Sequence, residues 1–213
     1  MRVIAFFIFL IFVIAPDSRA ESFIGHIQYQ VLYTKDYTHG PLPREKRVDL
    51  YVKDHLKLII VDSFYNKKNV VAGYLFDDNK AILSQINYND KTFTPIPYNT
   101  IPNTEIVEET SLKKNPRALL NRAIKGRYLV DKKKNLHYEA WYADITTKPF
   151  GMYKIDTVHI VEQSTGKIAL LLVREVIPGT KIIYKAVKME KIDPSAILSV
   201  PKDYKLSRQS VDK

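Results

Sequence analysis

Polar and apolar residues alternate along most of the chain from Phe23 onward. In "FIGHIQYQVLY", Ile27, Tyr29, Val31 and Tyr33 fall on one side, and His26, Gln28 and Gln30 on the other. "RVDLYVKD" sets Val48, Leu50 and Val52 against Asp49, Tyr51 and Lys53, and "HLKLIIVD" follows directly. "VVAGYLFDDNKAILSQINYNDKTFTPIPY" continues the pattern, with "DDNK" and "YNDK" as hairpin turns. A period of two, broken by turn residues every 8–12 positions or so, predicts antiparallel sheet.

The middle breaks the pattern. "NTIPNTEIVEETSLKKNPRALLNRA" is polar and punctuated by proline. It predicts a helix over Pro116–Ala123, with Asn115 as N-cap and Pro116 in the first turn. Strands resume at "KGRYLVD", turn at "KKKN", and continue as "LHYEAWYADI". There Leu136, Tyr138, Ala140 and Tyr142 share one face, and His137, Glu139, Trp141 and Ala143 the other. "TTKPFG" reads as a crossover, where Pro149 and Gly151 break the ladder and leave Phe150 free to cap an opening. Two hairpins follow, "TVHIVEQSTGKIALLLVREV" turning at "STGK" and "IPGTKIIYKAVKMEKI" pairing back from "PG". "DPSAILSVPKDYKLSRQSVDK" predicts a short ordered turn and a frayed end. The expected organisation is one mainly β domain over 21–205 with a polar tail over 206–213.

The first twenty residues stand apart. Arg2, the apolar run Val3–Ala15, and the small residues Ser18 and Ala20 form the pattern of a secretory signal peptide cut before Glu21. The run falls short of the roughly 20 residues that span a bilayer. The expected location is therefore periplasmic or extracellular, and the chain has no cysteine with which to form disulfides there. That also excludes thiol nucleophiles, thiolate zinc sites and iron–sulfur clusters. The net charge is +10, of which the first twenty residues hold +1 (Arg2 and Arg19 against Asp17), leaving +9. Such a balance favours solubility and attraction to an anionic membrane surface. With no nucleic-acid-binding motif, nucleic acid is not an expected partner.

Motifs for chemistry are few. The five histidines lie in separate segments without metal-ligand spacing, so no metal is expected. No G-x-S-x-G elbow, G-x-G-x-x-G loop or Walker pattern occurs, and four S-x-x-K matches in a lysine-rich chain lack their S-D-N and K-T-G companions. Glu108 and Glu109 are adjacent, and Glu139 and Asp144 point to opposite faces of a strand. No catalytic residue and no cofactor are assigned. Aromatics are plentiful: there are fourteen tyrosines and nine phenylalanines, some of the latter in the first twenty residues, and the rest concentrate in the alternating runs. They serve sheet packing, or line an apolar concavity rimmed by hydroxyls.

"IGHIQYQVLY", "IKGRYLVDKKKNLHYEAWYADI" and "IDPSAILSVPKDYK" together carry a resemblance. The last is similar to a D-P-S-x-(apolar)-x-x-P-x-x-Y ending, here Asp193, Pro194, Ser195, Pro201 and Tyr204, with one more residue before the second proline. The order of elements resembles the outer-membrane lipoprotein carrier group (LolA/LolB-like) and its exported GLPGLI-type relatives. The resemblance implies a curved antiparallel sheet forming an incomplete barrel, with one or a few short helices over an apolar cavity. It implies a non-enzymatic monomer that binds a lipid, an acyl chain or a lipidated protein there. The expected ligand-binding residues are Trp141, Phe150 and Met152, with Tyr138 and Tyr142 beside them. Two other functions remain open: a structural or interaction component of the cell envelope, and an envelope hydrolase using two carboxylates brought together by the fold.

Overall fold

Among the described residues, the alternation becomes a single open sheet of thirteen strands in the computed structural model. The structure describes residues 21–34, 44–98, 106–111, 118–131, 136–147, 166–177 and 179–207. The strands are β1 (Glu21–Ser22), β2 (Gly25–Tyr33), β3 (Arg44–Lys53), β4 (Leu56–Tyr65), β5 (Lys68–Asp77), β6 (Ile82–Asn87) and β7 (Thr92–Pro97). After them come β8 (Ile106–Ser111), β9 (Ile124–Asp131), β10 (Leu136–Thr146), β11 (Lys167–Ile177), β12 (Thr180–Glu190) and β13 (Lys205–Leu206). Strands β2–β7 and β8–β12 are two antiparallel meanders, joined where β2 pairs with β12. Among the described residues, only the short pairs β1·β10 and β13·β7 are parallel.

Register aligns the apolar positions into rows. Ile27 lies opposite Leu50, Leu50 opposite Ile59, and Ile59 opposite Tyr74. Ala140 lies opposite Leu172, Leu172 opposite Tyr184, and Tyr184 opposite Val31. These rows form the main core, on what is here called the core face. Each fully buried Leu or Ile contributes about 1.5–3 kcal/mol relative to exposure. A second, smaller cluster on the opposite face joins Leu58, Leu75 and Ile86 to Leu198 from the segment after β12.

Two local features hold the junction of the meanders. Gly25 has φ 153°, and a Cβ there would stand 2.0 Å from the carbonyl oxygen of Glu190, so only glycine lets β2 start beside the end of β12. The β10·β11 register shifts between Trp141 and Tyr142, a bulge that skips Leu170. Beside it, the buried Tyr29 hydroxyl donates to the Ala169 carbonyl at 2.8 Å.

The middle of the chain departs from expectation. Ile106–Ser111 is a strand pairing with β9, rather than a polar connection. The helix expected over Pro116–Ala123 is not formed over its described part, 118–123. Leu119 and Arg122 instead exchange backbone hydrogen bonds of 3.1 and 2.9 Å around Leu120 (φ 49°) and Asn121 (φ 60°). That is the two-residue turn with positive φ at both centres. Leu119 and Leu120 pack against the main core, so burial outweighs local helix propensity. At the C-terminal end, Lys205–Leu206 pairs with Thr92–Phe93 and the Ser207 N–H donates to the Phe93 carbonyl at 2.8 Å, so the ordered chain continues past 205.

Candidate functional site

The core face ends in polar side chains where β10, β11, β12, β2 and β3 run side by side. Tyr138 lies opposite Arg174, Arg174 opposite Ile182, and Ile182 opposite Tyr33. Tyr138, Arg174 and Tyr184 are all buried. The Tyr33 hydroxyl donates to the backbone carbonyl of Glu45 at 3.2 Å, and the Arg44 guanidinium lies 5.3 Å from the Tyr33 ring centre. Burial, reinforced by the Glu45 charge, pushes the Tyr33 phenol up to about 12. The same two causes hold the Tyr184 phenol well above its ordinary value, with Arg174 opposing them. Both hydroxyls therefore stay protonated at neutral pH and offer neutral hydrogen bonds.

Beside this group the sheet opens. The β2·β3 ladder ends at Gln30 opposite Arg47. Beyond it, a pocket of about 530 Å³ lies between Val31–Tyr33 and Arg44–Lys46, with Phe64 at its side. Tyr33 and Glu45 belong to both the pocket and the polar end of the core face. Leu32, Phe64 and Tyr65 are 40–41% exposed there, and the Lys46 ammonium sits 4.9 Å over the Phe64 ring. Arg44, Lys46, Lys67 and Lys68 are exposed around them. This end of the molecule combines aromatic surface with positive charge.

The core face carries a second charge further along β4. Lys57 is fully buried and lies opposite Val52 and Phe76. Its ammonium pairs with one carboxylate oxygen of Asp78, and the Tyr98 hydroxyl donates to the other at 3.1 Å.

On the opposite face, His26 joins three strands. Its Nε2 lies 2.8 Å from Asp49 on β3 and its Nδ1 3.5 Å from Glu190 on β12, and its ring stacks on Tyr51 with centres 4.4 Å apart. Arg47 (2.9 Å) and Gln28 (3.3 Å) also bind Asp49. Among the described residues no group of three His, Asp or Glu side chains is placed to hold a metal ion. Glu139, one of the acids weighed for hydrolysis, is ion-paired with Lys181 at 3.2 Å.

Of the expected ligand-binding residues, Tyr138 and Tyr142 share the core face, and the Arg127 guanidinium stands 6.0 Å from the Tyr142 ring centre. Trp141 alternates with them along β10, opposite Gly126, and is buried in the same apolar cluster as the two tyrosines. Phe150 and Met152 lie outside the described residues. Residues not singled out from sequence include Glu45, Arg174 and Tyr184, whereas Tyr33 stands there only as one of the alternating aromatics. Arg174 did leave a signal, since it interrupts the apolar run "ALLLVREV". A comparison of the chain with protein-family models and with curated proteins finds no match.

Proposed function

We propose that the protein binds a hydrophobic or amphiphilic ligand (a lipid, an acyl chain or a lipidated protein) and catalyses no reaction. In this reading it is exported, and its sheet curls into an incomplete barrel of the lipoprotein-carrier type. The ligand's apolar part lies along the core face and its head meets the hydroxyls and guanidinium groups at the end of that face. The observation that carries the reading is the pocket of about 530 Å³ between β2 and β3, which shares Tyr33 and Glu45 with the polar end of a largely apolar face. That size falls within the range of small-ligand sites. Leu32, Phe64 and Tyr65 amid exposed lysine and arginine support docking of this end on an anionic membrane surface.

A second reading is a structural or interaction component of the envelope, whose core face is packed by the chain itself. The complete burial of Tyr29, Leu50, Ile59 and Leu172 favours it. Native mass spectrometry of protein gently purified from its own cell envelope separates the two. Co-purified lipid is expected, and repeated ligand-free preparations would leave only the second reading.

A further inference from the structure

The ending that carried the family resemblance forms a strap, residues 191–207, across the outer side of β4–β7. Several of its marked residues hold it there. At one end Lys53 donates to the Asp193 carboxylate at 3.0 Å and to the Ser195 hydroxyl at 2.6 Å. The Ser195 N–H closes back on Asp193 at 3.0 Å, and the Ile197 N–H donates to the Pro194 carbonyl at 2.9 Å. At the other end β13 pairs with β7, Lys91 meets Asp203 at 3.2 Å, and Tyr204 packs edge-on against Tyr88 with centres 5.9 Å apart. Between these anchors Leu198 is driven into the sheet against Leu58, Leu75 and Ile86.

Leu198 does not fill the space. A pocket of about 390 Å³, partly open to solvent, remains beside it, floored by Leu56, Leu75 and Ile82 and walled by Leu198 and Val200. Water in it faces mostly carbon and finds few polar partners. Displacing such water with an apolar group is favourable.

We infer that the pocket beneath the strap is a binding site for a small, uncharged, largely apolar molecule. Its lack of charge follows from the polar lining. Among the described residues lining it, Asp77 is the only carboxylate and Lys80 the only lysine. They are paired at 2.9 Å, with a further bond from the Lys80 N–H to Asp77 at 3.1 Å and His55 at 3.9 Å. A cationic head would compete with Lys80 for Asp77, and an anionic one would meet the Asp77 carboxylate. What remains for a head group is the hydrogen bonding of Ser84 and Ser199 at the margin. The site lies on the face of the sheet opposite the main core, so it is separate from the ligand site proposed above.

The test is a fluorescence titration of the full chain with uncharged N-phenyl-1-naphthylamine, beside its anionic counterpart 1-anilinonaphthalene-8-sulfonate, with 1-decanol as competitor. Saturable binding of the uncharged probe, displaced by decanol, is expected. Ser84→Phe and Ser199→Phe plug the pocket from the sheet side and from the strap side. Each is expected to weaken binding by roughly tenfold or more, as overpacking of this size implies. Unchanged affinity in either folded variant, or equal binding of the sulfonate, overturns the inference. In the unaltered chain, a neutral alkyl diazirine is expected to label Leu198–Val200, and saturable label confined to other peptides likewise overturns it. A ligand on the core face would be indifferent to both substitutions, so the two proposals fail separately.

Discussion

Lys57 shows most sharply what one side chain demands of this fold. An ammonium taken out of water costs several kcal/mol unless its partner is held in place. Here Asp78 supplies the charge, and Tyr98 holds the far oxygen of that carboxylate. Lys57→Met is expected to destabilise the protein by about 3 kcal/mol, because Asp78 loses the Lys57 ammonium. Lys57→Met combined with Asp78→Asn removes both charges and is expected to recover at least half of that loss. Urea unfolding of the three variants checks this, and additive effects in the double variant would show that the pair is not coupled. The placement of Lys57 was open to inspection in "HLKLIIVD", since strict alternation puts it on the side of Ile59 and Val61. Its partner was not, because Asp78 comes from a turn beyond the next strand, and alternation says nothing about which distant residue will sit nearby. Trp141 was likewise open to inspection. Its rarity drew attention, and it lies in the same buried cluster as Tyr138 and Tyr142, although alternation sets it between them along β10.

Single elements carry their own consequences. The turn between β5 and β6 ends at Ala81, whose φ of 52° costs an L-residue about 1–2 kcal/mol. Ala81→Gly relieves that strain but adds freedom to the unfolded chain, so a net gain of about 0.5–1 kcal/mol is expected in thermal unfolding. A loss of stability would mean that the Ala81 methyl matters more than its backbone. The strap responds to acid. The Ser195 hydroxyl and N–H, and then Lys53, bring the Asp193 carboxyl down from 3.8 to about 2. A lowered folded-state value favours the folded form while the carboxylate is charged. That contribution is whole above the unfolded value of 3.8 and is lost as pH falls through about 2. Methyl NMR signals of Leu198 and Val200 should therefore hold steady from about pH 5 to about pH 3 and shift only nearer pH 2. In Asp193→Asn this acid step should vanish, and its persistence would point to another group. The hairpin turns "DDNK" and "YNDK" were legible because turn chemistry is local. The turn at Leu120–Asn121 was not, because packing of two leucines against the core decides it.

For the whole molecule, what matters is that both meanders depend on a pairing between β2 and β12, strands near opposite ends of the sequence. Alternation told which face each strand would bury, but not which strand would be its neighbour. The polar end of the core face is built from β2, β3, β10, β11 and β12, so it could not be read from any one stretch. A chain ending at Ile177 retains both meanders' other strands but exposes the free edges of β2 and β11. It is expected to aggregate, or to unfold without a cooperative transition in circular dichroism. A soluble, cooperatively unfolding fragment would show that the join is dispensable. Non-local pairing of this kind also predicts refolding in milliseconds to seconds rather than microseconds, measurable by stopped-flow fluorescence of Trp141.

The same join has a consequence for manufacture on the ribosome. At about 5–20 residues per second, β12 follows β2 by on the order of ten seconds. Throughout that interval the edge of β2 waits for a strand that does not yet exist. A neighbouring chain that already has its β12 can supply one, so crowded synthesis favours exchanged dimers in which each molecule completes the other.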